Sequence, residues 1–282
     1  MAKSEMFYAV GDSHVSFFTG NELMDFFPYK KGINVGNDRL KYFKTYHLGP
    51  GLAYSANKYG STTKTREKAE YLVKNKILPE GANVVLSLGG IDARRQVVKI
   101  NREKGIDFQT IVDGIVDCYK DLLEYMDKAG FKLYCWGIVA TITDEAVIET
   151  GTTVNGDEAT RNRITMMIND GLKRICEENG WNFVSVAEAT IDENFKTRED
   201  LICTDRSHLS QIMAPTVAKE FEKYGVDILA RKSKLEHFVN TAPYYIKRKM
   251  IKILSRFILV KKWRKKFRSL YQPYGPVCNE EF

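Results

Sequence analysis

Four short apolar runs, Met6 to Val10, Asn83 to Leu88, Lys132 to Val139 and Asn182 to Val186, are separated by longer stretches whose apolar residues recur every three or four positions. Runs of five to eight apolar residues suit strands buried on both faces, and helical periodicity between them suits crossover helices, so the pattern predicts an α/β domain with a mostly parallel sheet. Between the second and third runs, Phe108, Ile111, Val112, Ile115, Val116, Tyr119, Leu122, Leu123 and Met126 form one amphipathic stripe. A second helix is predicted over 159–179, with Gly180 as its stop, and a third from His208 to Tyr224, in which Pro215 kinks the helix or shifts its start. The polar stretch TITDEAVIETGTTVNGDEAT, from Thr141 to Thr160, is expected to be a loop over the ligand edge of the sheet and a candidate substrate lid.

Charge divides the chain. Residues 231–268 carry fourteen Lys or Arg against one acid, Glu236, which gives +13 there and leaves the rest at −6 within a total of +7. The expected organisation is therefore a catalytic domain over 1–230 and a basic extension over 231–282. An acidic body disfavours nucleic acid as its substrate, because a phosphate backbone needs cations along its path. In the extension, Ile246, Met250, Ile253, Phe257, Val260, Trp263, Phe267 and Leu270 fall on one helical stripe among lysines and arginines. A basic amphipathic helix of this kind suits an anionic membrane surface, contacted through residues 244–270; docking on the body, pairing with a second chain and nucleic acid binding are the other uses open to it. Five dispersed cysteines without a close pair fit a reducing compartment, and the N-terminal residues lack a secretory apolar core. The expectation is a cytoplasmic protein held peripherally at the inner membrane face, with no cofactor and no metal.

The residues that can carry chemistry are few, since the chain has four histidines: His14, His47, His208 and His237. In YAVGDSHVSFF (8–18), Asp12, Ser13 and His14 follow the first strand directly, as a helix cap or as a reactive turn. In CTDRSHLS (203–210), Asp205 and His208 lie three apart, close enough for the carboxylate to hold one ring nitrogen while the other faces outward. A serine nucleophile needs such a base and orienting acid, so Ser13, His208 and Asp205 form a candidate triad. His14 is expected to turn away from Ser13 on a helix. The GPGLAY stretch lacks the third glycine of a dinucleotide loop, and neither a Walker lysine motif nor a GxSxG elbow occurs.

GDSH at 11–14, HLGPGLAYS at 47–55, SLGGID at 87–92 and DRSH at 205–208 together resemble the four ordered sequence blocks of the SGNH (GDSL-type) hydrolases, over residues 6–225. The resemblance implies a flavodoxin-like three-layer α/β/α sandwich, Ser13 as nucleophile, His208 as general base and Asp205 as its orienting acid. It implies oxyanion donors at the backbone N–H groups of Ser13 and Gly49, with Gly51 as a substitute for Gly49. The third block departs from the family's Gly-x-Asn-Asp: Ile91 stands where the Asn would donate. GGIDARR is closer to a subset with a Gly-Glu-Ile-Asp-like block followed by Arg, which makes Arg94 or Asn57 the candidate replacement donor; Asp92, Arg94 and His47 are the candidate substrate contacts. The implied activity is hydrolysis of small acyl esters, acetyl esters of carbohydrate in particular, through an acyl-enzyme. An acyltransferase with the same triad, or a non-catalytic glycan- or partner-binding member, are the alternatives. Asp12 and His14 also resemble the opening of calcineurin-like metallophosphoesterases, but the Gly-Asn-His block and further histidines of that family are missing.

Overall fold

The computed structural model describes residues 6–19, 33–35, 40, 43–203 and 206–229, and 250, 253–259 and 263 of the extension. In chain order the elements are β1 (Phe7–Gly11), β2 (Ile33–Val35), β3 (Phe43–His47), α1 (Thr65–Lys74), β4 (Asn83–Ser87), α2 (Val97–Lys104), α3 (Phe108–Lys128), β5 (Lys132–Trp136), α4 (Asp144–Thr150), α5 (Glu158–Asn179), β6 (Asn182–Val184), α6 (Ala187–Thr190) and α7 (Ala214–Glu222), with tight single-turn segments between them. The sheet runs β2-β3-β1-β4-β5-β6. All its neighbours are parallel except the short β2 at the edge, which pairs antiparallel with β3.

Counted among themselves, the five parallel strands follow the order 2-1-3-4-5 of flavodoxin-like doubly wound folds, whose ligands sit where the winding reverses, at the carboxyl ends of the strands beside the first one. The layers follow from alternation within the strands. Tyr8, Val10, Val84, Leu86, Leu133 and Cys135 pack into one core against α1, α3 and α5, while Phe7, Ala9, Val85, Tyr134 and Trp136 pack into a second core against α7 and the turn after β1. Both faces are buried, so the strands read as continuous apolar runs.

Helix ends follow local chemistry. Asp107 and Asp157 cap α3 and α5 by accepting from the N–H of Thr110 and Thr160, and Gly180 closes α5 in the left-handed conformation at φ 71°. The third predicted helix is shorter than its expected span. Ser210 caps a single tight turn, Gln211–Met213, and Pro215 sits in the first turn of α7, where a missing N–H removes no helical bond, so the proline marks a start. The expected loop over Thr141 to Thr160 also differs, because it contains α4 and is pinned from below. The fully buried Arg161 donates to the carbonyls of Ile142 (2.7 Å) and Gly156 (2.5 Å) and to Asp144 (2.9 Å), while the Asn155 N–H and side chain bond the carbonyls of Arg94 and Arg95. Through its two terminal nitrogens the buried guanidinium straps this segment at three groups, and the segment is helical over α4 where a loop was expected.

Candidate active site

Register brings three sequence blocks to one level. Gly11 of β1 lies opposite His47 of β3 and Ser87 of β4, so Ser13, Gly49 and Gly89 each stand two residues beyond the same row of the sheet. Gly11 has no alternative here: a Cβ would lie 1.9 Å from the Ser87 carbonyl oxygen. The ladder continues past it, with the Asp12 N–H donating to Ser87 O (2.9 Å) and the Leu48 N–H to Gly11 O (2.7 Å). Gly49 sits at φ 89°, a conformation that leaves room for no ordinary side chain without strain.

The imidazole that meets Ser13 arrives from 195 residues away. His208 Nε2 and Ser13 Oγ are 2.7 Å apart, which is hydrogen-bond contact. The His208 backbone is fixed by its own loop: the Cys203 N–H donates to His208 O (2.7 Å), Ile202 bridges Leu209, and the Arg206 N–H donates to Cys203 O (2.8 Å). Arg206 adopts φ 63° and ties the loop to Glu199 and Glu149 through its guanidinium. Asp205, the acid expected in the triad, lies outside the described residues.

His14 does not turn away. Its ring centroid is 4.8 Å from that of His208, at an interplanar angle of 46°. Two features correct the expectation. Residues 13–19 wind as a 3-10 helix with three residues per turn, and Gly90 leaves open the space that the imidazole fills, since a Cβ there would lie 2.8 Å from His14 Nε2. The double glycine of SLGGID was the signal available in the sequence for a side chain entering from elsewhere.

Other expected site residues separate into those that face the site and those that support it. Arg94 donates through Nη1 to Ser207 Oγ (3.2 Å) and, with His14, Gly90, Thr165, Ser207 and the segment from Ile138 to Ile142, lines a narrow cleft beside the Ser13–His208 pair. Asn57 is not brought there; its amide donates to Asp121 of α3 (2.6 Å), so it is corrected as an oxyanion donor. Asp92 is fully buried and accepts from the N–H groups of Ala53 (2.8 Å) and Tyr54 (3.1 Å). It is therefore corrected as a substrate contact: it anchors the loop that carries Gly49 and Gly51. Lys68 of α1, which the sequence reading missed, holds the same loop from the other side, donating through Nζ to Leu48 O (2.8 Å) while buried. Gly51 packs under Leu88 and Thr65, with no space for a Cβ. Ile91 is buried and contributes no polar group.

Burial sets the charge states. It pushes the Asp12 carboxyl up to about 6, against the His14 N–H bonded to Oδ1 (3.0 Å) and the charges of Arg94 and His208. It pushes Asp92 up to about 7, against its two backbone N–H partners, with the Asp12 charge adding to the rise. His47 moves the other way, down to about 4, because burial and the nearby charges of His208 and Lys68 disfavour its cation. Around the serine, then, stand a neutral His47, two carboxyls that burial keeps partly protonated near neutrality, and one imidazole in contact with the hydroxyl. Among the described residues no group of three or more His, Cys, Asp or Glu is arranged to hold a metal ion.

No protein-family pattern and no curated protein matches this sequence. Solved structures similar to it include an acetyl xylan esterase, 16% identical over 78% of this chain and all of that one, with a TM-score of 0.43. A catalytic mutant of an acetylxylan esterase from Geobacillus stearothermophilus is 12% identical over 79% of this chain and 94% of its own, with a TM-score of 0.43. A GDSL-like lipase from Bacteroides thetaiotaomicron is 12% identical over 79% and 91%, with a TM-score of 0.47.

Proposed function

We propose that this protein is a serine esterase of the SGNH type acting on small acyl esters of a carbohydrate. The observation that carries the reading is the 2.7 Å contact between Ser13 Oγ and His208 Nε2 at the carboxyl end of β1, the edge where folds of this topology bind ligands. Fold alone does not specify chemistry, so the argument rests on that pair and its surroundings.

In the proposed reaction, neutral His208 accepts the Ser13 proton through Nε2 as Oγ attacks the ester carbonyl. The carbonyl oxygen becomes an oxyanion received by the N–H groups of Ser13 and Gly49, on a loop that Asp92 and Lys68 hold in place. The imidazolium returns its proton to the leaving sugar oxygen, the acyl group stays on Oγ, and water or an acceptor hydroxyl, deprotonated by the same nitrogen, releases it. Asp205 is assigned, on the sequence resemblance, to the other ring nitrogen of His208, where it would fix the tautomer. Arg94 is the candidate third donor in place of the missing Asn, supported by its position beside His14 and Gly90. The preference for acetylated carbohydrate rests on the block resemblance.

Turnover of p-nitrophenyl acetate tests the reading. The wild type hydrolyses it with an acyl adduct on Ser13, and Ser13→Ala and His208→Ala each lose roughly 10³-fold or more in kcat. Ile91 supports one rival, a folded binder without turnover; a wild type that binds acetylated glycan but neither hydrolyses the ester nor forms the adduct decides for it.

A further inference from the structure

The described residues of the extension leave their apolar side chains uncovered. Of the stripe read from the sequence, Met250, Ile253 and Phe257 are exposed, and Trp263 is 68% exposed. Leu254 and Leu259 are exposed with them. Among the described residues, Ile253 and Leu254 are helical, a tighter turn follows at Ser255–Phe257, Ile258 and Leu259 are non-helical, and Trp263 is helical. The other positions of the stripe, Ile246, Val260, Phe267 and Leu270, lie outside the described residues. None of the described side chains of the stripe is buried against the body. Among the described residues no helix is long and apolar enough to cross a membrane.

A run of six large exposed apolar side chains within fourteen residues marks a surface that receives another. Here they alternate with a run of fourteen cations against one acid over 231–268. A second copy of the same segment would bring cations onto cations, and the body, at −4 over residues 1–230, attracts the charge without receiving the apolar side. A surface with negative headgroups above a hydrocarbon interior accepts both.

We propose that Met250, Ile253, Phe257 and Trp263 seat in the interface of an anionic bilayer and, with the surrounding cations of 231–268, act as a membrane-surface anchor. This inference is independent of the esterase reading. The full-length protein is sedimented with vesicles of phosphatidylcholine alone and of phosphatidylcholine with phosphatidylglycerol in equal parts, at low and high salt. Partition onto the anionic vesicles is expected to exceed that onto the neutral ones by about tenfold or more and to fall with salt. Trp263 supplies a second readout, since Trp136 and Trp181, the other two tryptophans, are 2% and 8% exposed: emission shifts to the blue on anionic vesicles, and the shift disappears in Trp263→Phe. The double variant Phe257→Ser/Trp263→Ser keeps every cation and is expected to lose about tenfold in partition. Failure of the wild type to sediment with anionic vesicles overturns the proposal. So does full retention by the double variant, which is how a basic tail holds any polyanion, nucleic acid included. A blue shift on raising protein concentration without vesicles assigns the stripe to a second copy and overturns it equally.

Discussion

Asp92→Asn alters the buried anchor of the Gly49 loop at one atom, and its effect depends on pH in a way that an ordinary cavity or packing defect does not. The wild-type carboxyl has a pKa of about 7 in the folded state against 3.8 as its model value, because burial favours the protonated form. Between these values the folded protein holds a proton that the unfolded chain has released, so the stability contributed by Asp92 is fully present at low pH and declines as pH rises through about 7. From pH 5 to pH 8 the decline amounts to about 3 kcal/mol at 1.36 kcal/mol for each pH interval below the folded pKa. Asparagine cannot titrate. It keeps one acceptor for the Ala53 and Tyr54 N–H groups and leaves the other short of a partner, which costs about 1–3 kcal/mol at every pH. Urea denaturation at pH 5 and pH 8 should therefore show the variant clearly less stable at pH 5 and close to or above the wild type at pH 8. Stability curves that stay parallel across this range would refute the assignment of a proton to the buried Asp92.

Three further outcomes follow from the same contacts. Gly90→Ala places a methyl group 2.8 Å from His14 Nε2, so kcat/KM on p-nitrophenyl acetate should fall about tenfold or more while the thermal midpoint changes little; unchanged kinetics would show that His14 tolerates displacement. Lys68→Met removes the ammonium bonded to the Leu48 carbonyl, costing about 1–3 kcal/mol in a denaturant titration and lowering kcat more than it raises KM, because the loop it holds carries Gly49, the proposed oxyanion donor. Arg94→Ala should reduce kcat by ~10²-fold if the guanidinium replaces the absent Asn, and unchanged turnover removes it from that role.

The strands that build the centre of the sheet were legible because both of their faces are buried, so apolar residues run without interruption at Phe7–Gly11, Asn83–Ser87 and Lys132–Trp136. β3 was not. Its sequence, FKTYH, puts Lys44 and Thr45 between Phe43 and Tyr46, which looks like an aromatic cluster; in the fold Phe43 enters one core and Tyr46 the other. The contact between Ser13 and His208 was legible because nucleophile chemistry restricts residue types and the chain offers few histidines. Asp92 and Asn57 were misassigned for the opposite reason: their partners, Ala53 and Tyr54 in one case and Asp121 in the other, lie 38 to 64 residues away, and no local pattern encodes which polar group a buried carboxylate or amide will meet. His14 was missed because its placement depends on an empty space at Gly90.

The central claim is that Ser13 is an activated nucleophile, and labelling with a fluorophosphonate probe tests it most directly. The account predicts that the folded wild type is labelled at Ser13, that Ser13→Ala is not labelled, and that His208→Ala is labelled far more slowly because Oγ has lost the nitrogen 2.7 Å away that takes its proton. Equal labelling of wild type and Ser13→Ala, or a folded wild type that takes up no probe, would contradict it.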